Sequence, residues 1–221
     1  MNILILAASR GIGQELTRQH IAAGDQVTAT ARSEASLQQL KAQGARPLML
    51  DVTDEAGSAD LARQLAGDKY DLVWLVAGVT GPRSSALQTP TRQQFDEVMH
   101  TNVLAAMRLL PVVAEVLAPQ ARIAVLSSRM GSMGLRTNPS SWLYRASKAA
   151  LNSVLKDVSL ALDGRAICVS LHPGWVRTHM GGAGADIDVA HSASTLRQTV
   201  AALSAADNGG FFNHDGQPLA W

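Results

Sequence analysis

Asn2-Ile-Leu-Ile-Leu-Ala-Ala8, followed at once by Ser9-Arg-Gly-Ile-Gly13, is the stretch that decides the fold. A short apolar run meets a glycine-rich turn, and an amphipathic pattern continues from Gln14 to Ala23. That order describes a buried strand, a tight turn and the start of a helix. The first turn of a helix offers unpaired backbone N–H groups and a favourable dipole to a phosphate. Gly11 and Gly13 let a nucleotide and the strand approach closely. Standing alone, the same residues also describe an ordinary strand-to-helix turn.

Outward from this unit the pattern repeats. Apolar strand-like runs recur at 2–8, 26–31, 46–51, 71–77, 121–127, 165–171 and 209–213. Helical patterns lie between them near 13–23, 34–43, 54–66, 91–117, 143–162 and 191–205. Such alternation predicts an α/β fold: a doubly wound, Rossmann-like parallel sheet of about seven strands with helices on both faces. No repeat, low-complexity tract or linker divides residues 1–221, so one domain is expected. Two irregular segments, 129–141 and 178–190, follow strands at their carboxyl ends, where open α/β sheets bind ligands. They are the expected substrate loops, and Gly181-Gly-Ala-Gly184 suggests a mobile second one.

The bulk properties narrow the function. A net charge of +1 gives no reason to expect nucleic acid or an anionic membrane as partner. The single cysteine, Cys168, lies in the apolar run 166–171 and reads as a buried strand thiol rather than a nucleophile. The first apolar run is too short for a signal peptide or membrane span, which makes a cytoplasmic protein the default expectation. The six histidines show no metal-ligand spacing, and no metal is expected.

Tyr144-Arg-Ala-Ser-Lys148 carries the chemistry. Residues four apart share one helix face, so the phenol and ammonium are neighbours. An ammonium beside a phenol favours the phenolate. Bringing a Tyr from about 10 to neutrality takes roughly 3 pKa units, or about 4 kcal/mol. Such a Tyr can donate a proton to a carbonyl or accept one from an alcohol.

Together these pieces resemble a short-chain dehydrogenase/reductase of the compact type. The matching residues are Ala8-Ser-Arg-Gly-Ile-Gly13, Asp51-Val-Thr53, Ala77-Gly78, Asn102, Ser127-Ser128, Tyr144 to Lys148 and Pro173-Gly-Trp-Val-Arg-Thr178. The ending from Gly209 to Trp221 resembles the branch of C-factor-like and sniffer-like carbonyl reductases. The resemblance implies a nicotinamide cofactor held by Ala7, Ser9, Arg10, Gly11, Ile12 and Gly13. Asp51 and Val52 would meet the adenine, and Ala77 and Gly78 would also contact the cofactor. Tyr144, Lys148, Pro173, Gly174, Val176 and Thr178 would surround the nicotinamide end. A homodimer or homotetramer is compatible with the resemblance.

The second strand, Gln26 to Arg32, has no acid to hold a ribose hydroxyl before Glu34. Arg32 can instead meet a 2′-phosphate through charge-assisted bonds, with Arg10 as a second positive group. In the resembling family these positions imply NADP(H). The expected reaction is hydride transfer between the nicotinamide and the carbonyl or alcohol carbon of a small or medium apolar substrate. Tyr144 is the expected general acid, and Lys148 would lower its pKa and bond the nicotinamide ribose. Ser128 would bond the substrate oxygen, with Ser127 as its competitor. Asn102 would hold a water linking Lys148 to solvent, as the family implies. Thr178 or a helix cap, and Thr53 or Asp54 as the cap of the third helix, stay open at this point.

Three departures from the family pattern stand out. Its first motif glycine is Ala7, with Leu6 before it. Its Asn-Asn-Ala-Gly reads Leu75-Val-Ala-Gly78. Sixteen residues separate Ser128 from Tyr144, a few more than usual, which enlarges the loop through Leu135 to Ser141. The rival reading from another class is a dinucleotide-binding regulatory or signalling protein without turnover. The intact set Asn102, Ser128, Tyr144 and Lys148 argues against it.

Overall fold

A computed structural model describes residues 1–84 and 87–221. Seven strands form one sheet: β1 (Asn2–Leu6), β2 (Gln26–Ala31), β3 (Arg46–Met49), β4 (Tyr70–Leu75), β5 (Leu117–Leu126), β6 (Ala166–His172) and β7 (Phe211–Asn213). Their order is β3-β2-β1-β4-β5-β6-β7, and every neighbouring pair is parallel. The helices are α1 (Gly11–Ala22), α2 (Glu34–Ala42), α3 (Glu55–Gln64), α4 (Arg92–Met99), α5 (Ala105–Glu115), α6 (Trp142–Ala161) and α7 (Val189–Ala202). Strand order reverses between β1 and β4. The crevice beyond their carboxyl ends is therefore the switch point at which such sheets take ligands.

Alternate residues of each strand feed two cores. Leu4, Leu6, Val73, Leu75, Ile123 and Val125 pack against α3, α5 and α6 through Leu61, Leu109, Val113, Leu151 and Leu155. Ile3, Ile5, Leu72, Trp74, Ala124 and Leu126 pack against α1, α2 and α7 through Leu16, Leu40, Leu196 and Val200. Burial on both faces is why these strands read as continuous apolar runs. Cys168 is fully buried in β6, and burial pushes its thiol up to about 12. It is a core residue.

A polar chain of three residues, Trp74, His20 and Asp25, runs beside the second core. The Trp74 indole N–H donates to His20 Nε2 at 3.1 Å, and His20 Nδ1 lies 2.7 Å from Asp25 Oδ2. An indole nitrogen only donates, so His20 accepts at Nε2 and keeps its proton on Nδ1. Burial lowers its pKa and favours this neutral form.

The helical pattern at 91–117 resolves into more than one element. Thr91 and Gln94 close a capping box at the start of α4. After Met99 the chain widens into a π-helical segment, His100–Leu104, and tightens again into α5. One extra residue per turn re-aims the side chains that follow. The helix stops at Glu115, and β5 begins at Leu117, four residues before the expected strand. At the other end of the sheet β1 stops at Leu6 because the next residue, Ala7, turns into the left-handed region with φ 70°.

Candidate active site

The phosphate turn is built by β1 and α1. Four other helices carry a side-chain N-cap: Ser33 on α2, Asp54 on α3, Thr91 on α4 and Asp188 on α7. Arg10 at the start of α1 makes no such bond. The first N–H groups of α1 are left to an external acceptor, which is what an anion site at a helix start requires. A Cβ at Gly13 would stand 2.6 Å from the Ala7 carbonyl oxygen, so only glycine lets helix and strand close here. Gly11, at φ 54°, sits 3.5 Å from Thr178 Cγ2 by the same measure. The turn after β6 therefore closes over the turn after β1. These features fit a dinucleotide pyrophosphate.

Ala7 takes a conformation that costs an L-residue about 1–2 kcal/mol. The Ala7 N–H still donates to Thr30 Oγ1 at 3.0 Å, and Ala8 N–H to the Thr30 carbonyl at 2.8 Å. Ala7→Gly relieves the strain and adds unfolded-chain entropy of about 0.4–1 kcal/mol. The net expectation is a variant more stable by roughly 0.5–1 kcal/mol, read as a raised urea midpoint at unchanged m-value.

Arg32 follows β2 and is exposed. Asp51 follows β3. Its carboxylate accepts from the Thr53 N–H and hydroxyl at 2.9 and 2.7 Å, and with Arg32 nearby this holds its pKa below the ordinary value. Asp54, rather than Thr53, caps α3. Val52 packs against the first core.

The reactive cluster lies beyond β4 and β5. Tyr144 and Lys148 occupy successive turns of α6, 8% and 3% exposed. Lys148 Nζ is 5.9 Å from the Tyr144 ring centroid and donates to the Leu126 carbonyl at 2.9 Å. Ala77 and Gly78 lie on the strand-free chain after β4, and a Cβ at Gly78 would be 3.2 Å from Lys148 Nζ. Ser128 caps the 3-10 turn Arg129–Gly131 and lies close enough to Tyr144 to influence its titration. Ser127 is spent elsewhere: its hydroxyl donates to Asn152 Oδ1 at 2.5 Å.

The Tyr144 pKa stands above its ordinary value rather than below it. Burial raises it, and the Ser128 hydroxyl acts in the opposite direction. Burial also brings Lys148 itself down to about 8, because the ammonium has a single carbonyl partner and almost no water. The Asn102 side chain is engaged by the loop after β4 and by α6. Its Oδ1 accepts from Val79 N–H at 2.8 Å, and its amide donates to the Val79 carbonyl and to Ser147 Oγ at 2.8 and 2.9 Å. The π-helical widening is what turns it toward both.

Several working residues went unremarked in the sequence. Ser147 donates to the Tyr144 carbonyl at 2.8 Å while accepting from Asn102, and so ties α6 to the loop after β4. Gly131 packs on α6 so tightly that a Cβ would come within 2.8 Å of the Lys148 backbone. Arg145 is buried and donates to the Ser140 carbonyl and Asn138 Oδ1 at 2.7 and 2.8 Å, fastening the enlarged loop. Ser147 was visible only as part of its motif, and Gly131 and Arg145 carried no signal in spacing.

The turn Pro173-Gly-Trp-Val is held from behind. Ser192 donates to the Pro173 carbonyl at 2.7 Å, and Gly174, at φ 86°, leaves no room for a Cβ beside Ile187 and His214. The segment 178–190 is closed by its own bonds. Val176 pairs with Ile187, Thr178 Oγ1 accepts from Gly181 N–H at 3.0 Å, and Arg177 donates to the Ala185 and Asp186 carbonyls. Thr178 thus closes a turn rather than capping a helix. Among the described residues no group of His, Cys, Asp and Glu is arranged to hold a metal, and no helix is long and apolar enough to cross a membrane.

Comparison with known proteins agrees with this geometry. The carbonyl reductase Sniffer of D. melanogaster superposes with a TM-score of 0.89 at 30% identity, covering 100% of this chain and 99% of that one. A short-chain dehydrogenase/reductase from Burkholderia multivorans, solved with bound NADP, superposes at 0.91 with 28% identity over the same shares. C-signal of Myxococcus xanthus is 37% identical over 101 residues, which is 45% of this chain and 61% of that protein. Residues 1–186 match the family model described as short chain dehydrogenase, and the chain belongs to that family.

Proposed function

We propose that this protein is an NADPH-dependent reductase of small or medium apolar aldehydes or ketones. The observation that carries this reading is the buried Ser128–Tyr144–Lys148 cluster, set across the sheet's switch point from the uncapped start of α1. The turn Ala7 to Gly13 would hold the pyrophosphate, Arg10 and Arg32 the 2′-phosphate, and Asp51 and Val52 the adenine. Ala77, Gly78, Pro173, Gly174, Val176 and Thr178 would border the nicotinamide half. Bound NADP in the Burkholderia relative supports the cofactor assignment. A bound nicotinamide supplies the hydride.

The chain's own residues manage the proton. Burial keeps Tyr144 protonated at neutral pH, so it enters the reaction as an acid. Ser128 would donate to the substrate oxygen and hold it beside the phenol. As the proton leaves Tyr144, the Lys148 ammonium, with Nζ 5.9 Å from the ring centroid, would stabilise the new phenolate. Met133, Trp175 and Met180 stay 70%, 53% and 38% exposed around the carboxyl end of the sheet, an apolar rim suited to an apolar substrate. Met130 and Trp142 lie closer to the body of the protein. Exposed Phe95, Met107 and Leu160 on α4, α5 and α6 support pairing of copies across those helices.

Tryptophan-fluorescence titration with NADPH and NADH, followed by a carbonyl screen, tests this. NADPH is expected to bind more tightly. Arg32→Ala should cost about tenfold or more in NADPH affinity, the worth of a charge-assisted bond of ~1.5–3 kcal/mol, with NADH affinity little changed. Equal loss for both nucleotides would remove Arg32 from the 2′-phosphate. The similarity to C-signal favours a second reading, a dinucleotide-binding signalling protein without turnover. Tight NADPH binding with no reduction across the screen would select it.

A further inference from the structure

The last ten residues do more than end the sheet. After β7 the chain turns back on itself: Asn213 N–H donates to the Gln217 carbonyl and Leu219 N–H to the Phe211 carbonyl, both at 2.8 Å. Phe212 bridges Pro218 in antiparallel fashion. The finger delivers Trp221 to Phe211, and the two rings stack with centroids 5.3 Å apart. Phe211 is 2% exposed, so the stack is anchored in the body of the protein.

From that anchor the main-chain oxygen of Trp221 reaches the loop after the 3-10 turn. It accepts from Gly134 N–H at 3.0 Å and from Ser132 Oγ at 3.2 Å. Ser132 is fully buried, and its Oγ also accepts from Leu135 N–H at 3.0 Å. A Cβ at Gly134 would be 3.3 Å from the Trp221 oxygen and 3.4 Å from Ala220 Cβ, so glycine admits the tail. Four residues before Ser132, the same loop carries Ser128. Its Oγ accepts from Met130 N–H at 3.1 Å and its carbonyl from Gly131 N–H at 2.7 Å, and Gly131 lies on the Lys148 backbone.

We propose that Trp221 is a positioning residue for Ser128, acting through Ser132 and Gly134. Ser128 is held upstream by β5 through Ser127 and downstream by Gly131 on α6, and the contact of Ser132 and Gly134 with the tail braces that turn from behind. Loss of the tail contact loosens the turn from Ser128 to Gly131 and lets the Ser128 hydroxyl shift away from Tyr144. This rests on the reading of Ser128 as the residue that bonds the substrate oxygen. A misplacement of about 1 Å at such a group can cost as much as ~100-fold in rate.

The test pairs kinetics with amide exchange followed by NMR in the full-length chain. In Trp221→Ala the Gly134 and Leu135 amides should exchange faster, and so should the Met130 amide that reports on Ser128 Oγ. Carbonyl turnover should fall about 10–100-fold in kcat, with NADPH affinity unchanged. Ser132→Ala should reproduce the effect, and Trp221→Phe, which keeps the stack, should restore most of it. Faster exchange at Gly134 with Met130 and kcat unmoved would overturn the proposal, as would unchanged exchange at both. If the wild-type protein turns over no carbonyl, the reductase reading fails, and the Met130 amide still decides whether the tail positions Ser128.

Discussion

Tyr144→Phe is expected to reduce carbonyl turnover by about 10²–10⁴-fold, the usual worth of a positioned general acid, with NADPH affinity unchanged. The substitution removes one oxygen from a residue that is 8% exposed and leaves the ring in place beside Lys148. The fold therefore has no reason to respond. The pH profile gives a second readout. Burial raises the Tyr144 pKa, so its proton is present throughout the neutral range. Lys148 has been brought down to about 8, so its charge is present below that pH and lost above it. The phenolate left by proton donation needs that charge. Reduction should hold level at neutral pH and decline as pH rises through about 8, well below the ordinary range of a lysine. A profile level to pH 10 would separate Lys148 from the phenolate. Retention of full turnover by Tyr144→Phe would end the acid–base assignment and leave the nucleotide site standing alone.

The frame of this site was legible in the sequence because it depends on local patterns. Strands buried on both faces make uninterrupted apolar runs, and all seven observed strands overlap an expected run. Tyr144 and Lys148 were marked by helical spacing together with the other motifs of the family resemblance. Ser128 against Ser127 was left open because adjacent residues at a strand end differ only in which face they take. The structure separates them: one hydroxyl meets Asn152 and the other faces Tyr144. What was not legible depends on contacts far apart in the chain. The Lys148 bond to the Leu126 carbonyl spans 22 residues, and the Trp221 bond to Ser132 spans 89. The low Lys148 pKa follows from burial, which periodicity does not report. Ala7 shows the reverse case. The departure from glycine was plain in the sequence, and only the backbone shows that the alanine accepts a left-handed turn rather than abolishing it.

The hydrogen bonds of the Asn102 side chain were not legible in the sequence, and they support the second large effect. Nothing in the run His100-Thr-Asn-Val-Leu104 marks a π-helical turn, since the apolar spacing on either side suits a continuous α-helix. The extra residue turns a 2% exposed amide toward the loop after β4, where the family's sheet-bracing asparagine is replaced by Val76. Three hydrogen bonds then hold Val79 on one side and Ser147 on the other. Asn102→Ala removes all three and leaves the part-buried Val79 N–H and carbonyl without their partner. At about 1–3 kcal/mol for each polar group left unpaired, a loss near 3 kcal/mol of stability is expected. Asn102→Asp keeps the acceptor for Val79 N–H but sets a carboxylate against the Val79 carbonyl, so it should recover little. Because Gly78 stands between Asn102 and Lys148 Nζ, the loosened loop should also weaken NADPH binding and turnover together. Urea unfolding and nucleotide titration on the same variants check both arms. Asn102→Ala with wild-type stability would show that the loop after β4 is held by something other than this amide.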